Sequence, residues 1–158
     1  MNEPSGVVNV RLAETVVLCI GSWHEDRAGL ERIFHGSGWL LLTADSPAAT
    51  LSALRERTVS IVICDDDRFP ETWRDLLALM AHWDNPPLLI VTARLADERL
   101  WAEALNLGAY DVLATPFDVT EAVRVVNMAQ RRWHSHREFC GAGKRMVAAA
   151  NGTPSRME

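Results

Sequence analysis

Three consecutive carboxylates, Asp65-Asp66-Asp67, close the apolar run from Val59 to Cys64 and form the densest cluster of reactive side chains in the sequence. Carboxylates so placed can act as a nucleophile, as ligands for a hard divalent cation, or as acceptors for the free N–H groups of a turn or helix start. Hydroxyls follow two other apolar runs, at Thr92-Ala93 and at Thr115-Pro116-Phe117, and Gly21-Ser22 follows a fourth. Cys19, Cys64 and Cys140 lie far apart, without a CxxC pair or a histidine at zinc spacing, so neither a disulfide framework nor a structural metal is indicated. Cys19 and Cys64 stand inside apolar runs, where a thiol behaves as a small hydrophobe. Of the five histidines only the pair in His134-Ser135-His136 is closely spaced, and it falls in a basic, solvated segment. Gly36-Ser37-Gly38 follows a helix and precedes a strand, the reverse of a phosphate-binding loop, and GxGxxG, GxxxxGK[ST] and GxSxG motifs are missing. Nucleotide-dependent and hydrolytic enzymes lose their main signatures, and the chain is expected not to be an enzyme.

The elements that must position these residues alternate regularly. Apolar runs at Thr15–Ile20, Trp39–Thr43, Val59–Cys64, Leu88–Val91 and Val112–Ala114 predict strands. The segments between and after them have helical spacing: His24–His35, Pro47–Arg57, Glu71–Trp83, Ala96–Leu107 and Val119 to about Arg137. Ser46-Pro47 and Asp118 are helix-start signals, and Gly36 and Gly108 are stops. The third strand shows no polar alternation, as expected of a parallel strand covered on both faces. Five β-α units with right-handed crossovers build an α/β fold of flavodoxin-like shape, an open five-stranded parallel sheet with helices on both faces. Its functional residues belong at the carboxyl ends of the strands. Residues 1–14 are expected to be an N-terminal extension, 15–137 the domain, and 138–158 a flexible basic tail.

The chain has 158 residues, 48% hydrophobic and 23% charged, an ordinary globular composition. No apolar run approaches the roughly 20 residues of a membrane span, and the first residues lack the pattern of a secretory signal, so a cytoplasmic protein is expected. Net charge is −5, unevenly placed: residues 1–130 hold 10 basic and 19 acidic side chains, and 131–158 hold 6 and 2. An acidic body argues against a nucleic-acid footprint. Of the 16 basic residues only Lys144 is lysine.

Three blocks carry a resemblance: Ile61-Val62-Ile63-Cys64-Asp65, Ile90-Val91-Thr92-Ala93, and Gly108-Ala109-Tyr110-Asp111-Val112-Leu113-Ala114-Thr115-Pro116-Phe117. In order and spacing, residues 15–133 resemble the receiver domain of two-component response regulators, a CheY-like (βα)5 fold. The last block is the most specific and is similar to the family's Gly-Ala-x-x-Tyr-Leu-x-Lys-Pro-Phe ending. The resemblance implies that Asp65 is the phosphoacceptor, with Asp66 as the runner-up because Pro70 stands four residues after it. It also implies that Thr92 contacts the phosphoryl group, with Thr115 beside it, that Pro116 follows a cis bond, and that Mg²⁺ assists the transfer. Such a transfer needs a carboxylate nucleophile, a cation to offset charge and fixed donors for the phosphoryl oxygens.

The departures concern the charge-balancing groups. The family's acidic pair after the first strand falls on Gly21 and Ser22, its strand-five lysine on Thr115, and its switch aromatic on Val112. Asp65 and Asp66, with Asp67, Glu25 or Asp26, are the side chains able to replace the lost metal ligands. Trp101, Val112 and Trp133 on the last elements are the interface candidates, tryptophan being enriched at binding hot spots.

The expected function is that of an atypical, stand-alone receiver in a phosphorelay. Its expected partners are a histidine kinase or phosphotransfer protein, a downstream protein target, and a second copy through the last two helices, with no nucleic acid and no membrane. The alternative is a phosphorylation-independent pseudo-receiver acting as a dimerisation or docking module.

Overall fold

A computed structural model describes residues 15–21, 27–67 and 70–150, with the side chains of residues 27, 70, 71 and 144–150 left aside. Five β-α units follow in order: β1 (Val16–Ile20), α1 (Arg27–Phe34), β2 (Leu40–Ala44), α2 (Pro47–Glu56), β3 (Ile61–Asp65), α3 (Pro70–Met80), β4 (Leu88–Ala93), α4 (Glu98–Leu107), β5 (Asp111–Ala114) and α5 (Val119–Ala150). All strand pairs are parallel, in the order β2-β1-β3-β4-β5. The order reverses between β1 and β3, where a crevice opens at the strand ends in sheets of this kind.

Side-chain alternation along buried strands splits the core in two. Val16, Leu18 and Ile20 of β1, with Val62 and Cys64 of β3 and Leu89 and Val91 of β4, meet Trp73, Leu76 and Met80 of α3 and Leu100 and Ala104 of α4. The intervening residues Val17, Cys19, Ile61, Ile63 and Ile90 meet Leu30 and Ile33 of α1 and Ala122, Val125, Val126 and Ala129 of α5. Successive strand residues point to opposite faces, so both faces of the central strands must be apolar, which is why their sequences run without polar alternation.

The helix boundaries follow local chemistry. Ser46 Oγ accepts the Ala49 N–H at 3.1 Å with Pro47 in the first turn, and Asp97 accepts the Leu100 N–H at 2.9 Å. Asp118 accepts the Glu121 N–H at 2.9 Å at the start of α5. Gly108 ends α4 at φ 105°, a left-handed conformation that glycine adopts without a Cβ penalty.

Three expectations are corrected. The helix predicted to stop near Arg137 continues to Ala150, so the boundary placed at 137 falls inside α5. Alanines favour helix strongly enough to carry it through Gly141 and Gly143, each of which costs about 1 kcal/mol relative to alanine. Trp133, an interface candidate, is core: it is 3% exposed, and its Nε1 donates to the Pro86 carbonyl at 3.2 Å. Helical spacing places it on the stripe of Ala122, Val126 and Ala129 that faces the sheet. Val112 is likewise buried, on the α3–α4 side of the sheet. Trp101, 46% exposed, keeps a free face on α4.

Candidate functional site

The carboxyl ends of β3, β4 and β5 bring Asp65, Thr92 and Thr115 to one rim. Asp65 ends β3 directly beside Thr92 in the parallel register and is half-buried. Thr92 is fully buried, and its hydroxyl donates to the Cys64 carbonyl at 3.4 Å. Thr115 is tied to the neighbouring strand by its N–H, which donates to Ala93 O at 3.0 Å, and the Thr115–Pro116 bond is cis.

The three acids of the following loop separate. Asp65 Oδ1 accepts the Asp67 N–H at 3.1 Å, folding the loop back on the strand end. The Asp66 N–H donates to Thr92 O at 2.8 Å, while its carboxylate turns towards α3. There Asp66 Oδ1 accepts the indole N–H of Trp73 at 2.7 Å and lies 3.6 Å from an Arg74 guanidinium nitrogen. Asp67 Oδ2 accepts the Arg94 backbone N–H at 2.7 Å, which ties the β3–α3 loop to the start of the β4–α4 loop.

Arg74 lies over the Trp73 ring, 4.2 Å from its centre, and its Nε donates to Glu103 Oε1 on α4 at 2.7 Å. That hydrogen bond, reinforced by the charges of Arg74 and Arg99, holds the Glu103 carboxyl below its ordinary pKa. Cys64, beneath the loop, is pushed up to about 12 by burial and then by the negative charges of Asp65 and Asp66.

On the β1 side the rim presents Gly21, whose N–H donates to Ala44 O at 3.1 Å and whose φ is 148°. That conformation disfavours a residue with a Cβ, so a carboxylate at this position would strain the backbone as it stands. Ser22, Glu25 and Asp26 lie outside the described residues.

No protein-family model matches the chain. The DNA-binding transcriptional regulator NtrC of Escherichia coli K12 is 35% identical over 104 residues, covering 63% of this chain and 21% of that protein. The transcriptional regulatory protein KdpE of Mycobacterium tuberculosis H37Rv is 30% identical over 95 residues, covering 60% of this chain and 42% of that one. The chain therefore spans about a fifth of the first relative's length and less than half of the second's. Among solved structures, the signal receiver domain of an HD domain-containing protein from Pseudomonas fluorescens Pf-5 superposes with a TM-score of 0.67 at 23% identity. It covers 79% of this chain and 93% of that one. NtrX from Brucella abortus superposes at 0.66 with 22% identity, over 85% of this chain and 30% of that one. Their likeness lies in the fold.

The chain has the fold of CheY-like receiver domains and is similar in sequence to two-component response regulators.

Receiver domains of this type generally hold Mg²⁺ beside the acceptor carboxylate. The donors described in this receiver do not fit such an ion. Gly21 brings no carboxylate, Asp66 is taken by an indole N–H and a guanidinium, and Asp67 is taken by a backbone N–H. Among the described residues no three His, Cys, Asp or Glu side chains come together as metal ligands. Asp65 and Asp66, read as a possible metal pair, are thus drawn apart, because the second finds its counter-charge on α3. Among the described residues no helix is long and apolar enough to cross a membrane.

The strand-end positions of Asp65, Thr92 and Thr115 follow from the sequence, as expected of residues just after apolar runs. No such position marks Trp73, Arg74 and Glu103, whose roles depend on how α3 and α4 pack. The adjacent Trp73-Arg74, beginning seven residues after Asp66, was the available signal.

Proposed function

We propose that this receiver acts as a docking module whose conformation is set without phosphoryl transfer. The observation that carries the proposal is the engagement of the acid loop by the protein's own donors: Trp73 and Arg74 on Asp66, and the Arg94 amide on Asp67. Stabilising a transferred phosphoryl group takes cations and donors aimed at it, and here the strand-five position offers Thr115 and the strand-one position Gly21. The surface offered to a downstream protein, or to a second copy of the chain, includes the exposed Leu95, Trp101 and Leu107 of α4 and the loop before it, and Met128 of α5. The acidic body of the domain makes a protein a better partner than a nucleic acid.

A second reading, favoured by the register that sets half-buried Asp65 against Thr92, makes Asp65 a working phosphoacceptor served by a histidine kinase or phosphotransfer protein. Intact mass after incubation with acetyl phosphate, with and without Mg²⁺, separates the two. The docking reading predicts no phosphoryl adduct on the wild type beside a conventional receiver that labels under the same conditions. A Mg²⁺-dependent single adduct that disappears in Asp65→Asn would overturn it and establish the second.

A further inference from the structure

Arg74 joins three elements that the sheet alone leaves separate. From α3 it reaches the Asp66 carboxylate in the β3–α3 loop at 3.6 Å and Glu103 in the middle of α4 at 2.7 Å. Its guanidinium is stacked on Trp73, a side chain with no exposed surface, which in turn donates to the same Asp66 oxygen. The guanidinium is therefore held by a rigid aromatic plane and faces one carboxylate on the acid loop and one on α4. Only 27% of the Arg74 side chain is exposed, so its charge is less screened than that of a fully solvated arginine. Val112 of β5, which falls on the family's switch aromatic, is buried and brings no polar group.

We propose that Arg74 is the resident cation of the acid loop and a positioning residue for α4, so that the state of Asp66 is transmitted to α4 through Arg74 and Glu103. This goes beyond the docking function, because it holds whether or not Asp65 accepts phosphate. Any change that alters the negative charge facing Arg74 in the loop, whether neutralisation of Asp66 or added charge beside it, redistributes the guanidinium between loop and helix. The orientation of Trp101, two residues before Glu103, then follows. A planar, permanently charged guanidinium with several fixed donors can serve both carboxylates at once.

Amide hydrogen exchange on the intact chain tests the proposal, with exchange in the α4 peptide read as a ratio to that in the α2 peptide. Arg74→Gln and Glu103→Gln are each expected to raise the ratio roughly two- to fivefold, the range of a partly exposed ion pair. The double variant should exceed neither single one, since both remove the same link. The deciding variant is Asp66→Asn, which leaves Arg74 and Glu103 in place: relay through Arg74 predicts a rise in the α4 ratio here too. An unchanged ratio in Arg74→Gln, additive single effects, or a response to Glu103→Gln without one to Asp66→Asn would each overturn it. A general loosening that raises α2 and α4 together leaves the ratio flat and counts against the proposal as well.

Discussion

Trp73→Ala should lower the unfolding free energy by about 3–5 kcal/mol, measured by denaturant titration. Trp73 is fully buried at the junction of α3 with the sheet, so truncation removes a large apolar surface and leaves a cavity beside Leu76 and Met80. It also deprives Asp66 of its indole donor while Arg74 loses the ring on which it rests. Trp73→Phe separates these contributions: it keeps most of the apolar volume and loses the 2.7 Å hydrogen bond, and a cost of about 1–2 kcal/mol is expected. A loss below about 1 kcal/mol in Trp73→Ala would mean that the loop and α3 are not held through this residue.

Stability should also fall steeply in alkali, through the buried thiols. Cys64 is raised from its ordinary value of 9.0 to about 12, chiefly by burial, and fully buried Cys19 is raised for the same reason and then by Cys64. In the unfolded chain both thiols ionise near pH 9, whereas in the folded chain they stay neutral. The folded state therefore binds more protons, and stability that is fully present below about pH 9 is lost as pH climbs towards the folded pKa. Each thiol contributes about 1 kcal/mol per pH unit across that window. Denaturant titrations at about pH 8, 9 and 10 should show the decline, and Cys64→Ala should shallow the slope by roughly half. A slope unchanged in both Cys64→Ala and Cys19→Ala would refute the assignment. In the native protein a thiol reagent should modify Cys140 and spare Cys19 and Cys64, which are buried.

The fold was legible because its signals are local or periodic. Ile61–Cys64 and Leu89–Val91 read as central parallel strands from their unbroken apolar runs, and Ser46-Pro47, Asp118 and Gly108 marked helix ends through side-chain or backbone chemistry confined to one turn. The end of α5 was not legible, because Gly141, Gly143 and the small residues around them read as a frayed tail although the helix runs to Ala150. Trp133 was misplaced for a related reason. Aromatic enrichment at interfaces suggested a partner surface, whereas the helical stripe it shares with Ala129 turns it inward, where its indole meets the Pro86 carbonyl.

At the site, the strand-end residues could be named from position alone. The fates of Asp66 and Asp67 could not, since a carboxylate's partner depends on which helix packs over it. Three successive acids read as a metal cluster or as a solvated turn with equal ease. The packing of α3 resolves them into one strand-end carboxylate, one carboxylate held by Trp73 and Arg74, and one that ties two loops together.

The central claim is that the acid loop of this receiver is organised by its own side chains and not by a divalent cation. Amide NMR of the wild-type protein during titration with MgCl₂ tests it most directly. The backbone resonances of Asp65, Asp66, Asp67 and Ala93 are predicted to stay where they are up to millimolar Mg²⁺, beyond small uniform changes from ionic strength. Saturable shifts confined to these residues, lost in Asp65→Asn, would show a metal site at the strand ends and contradict the account.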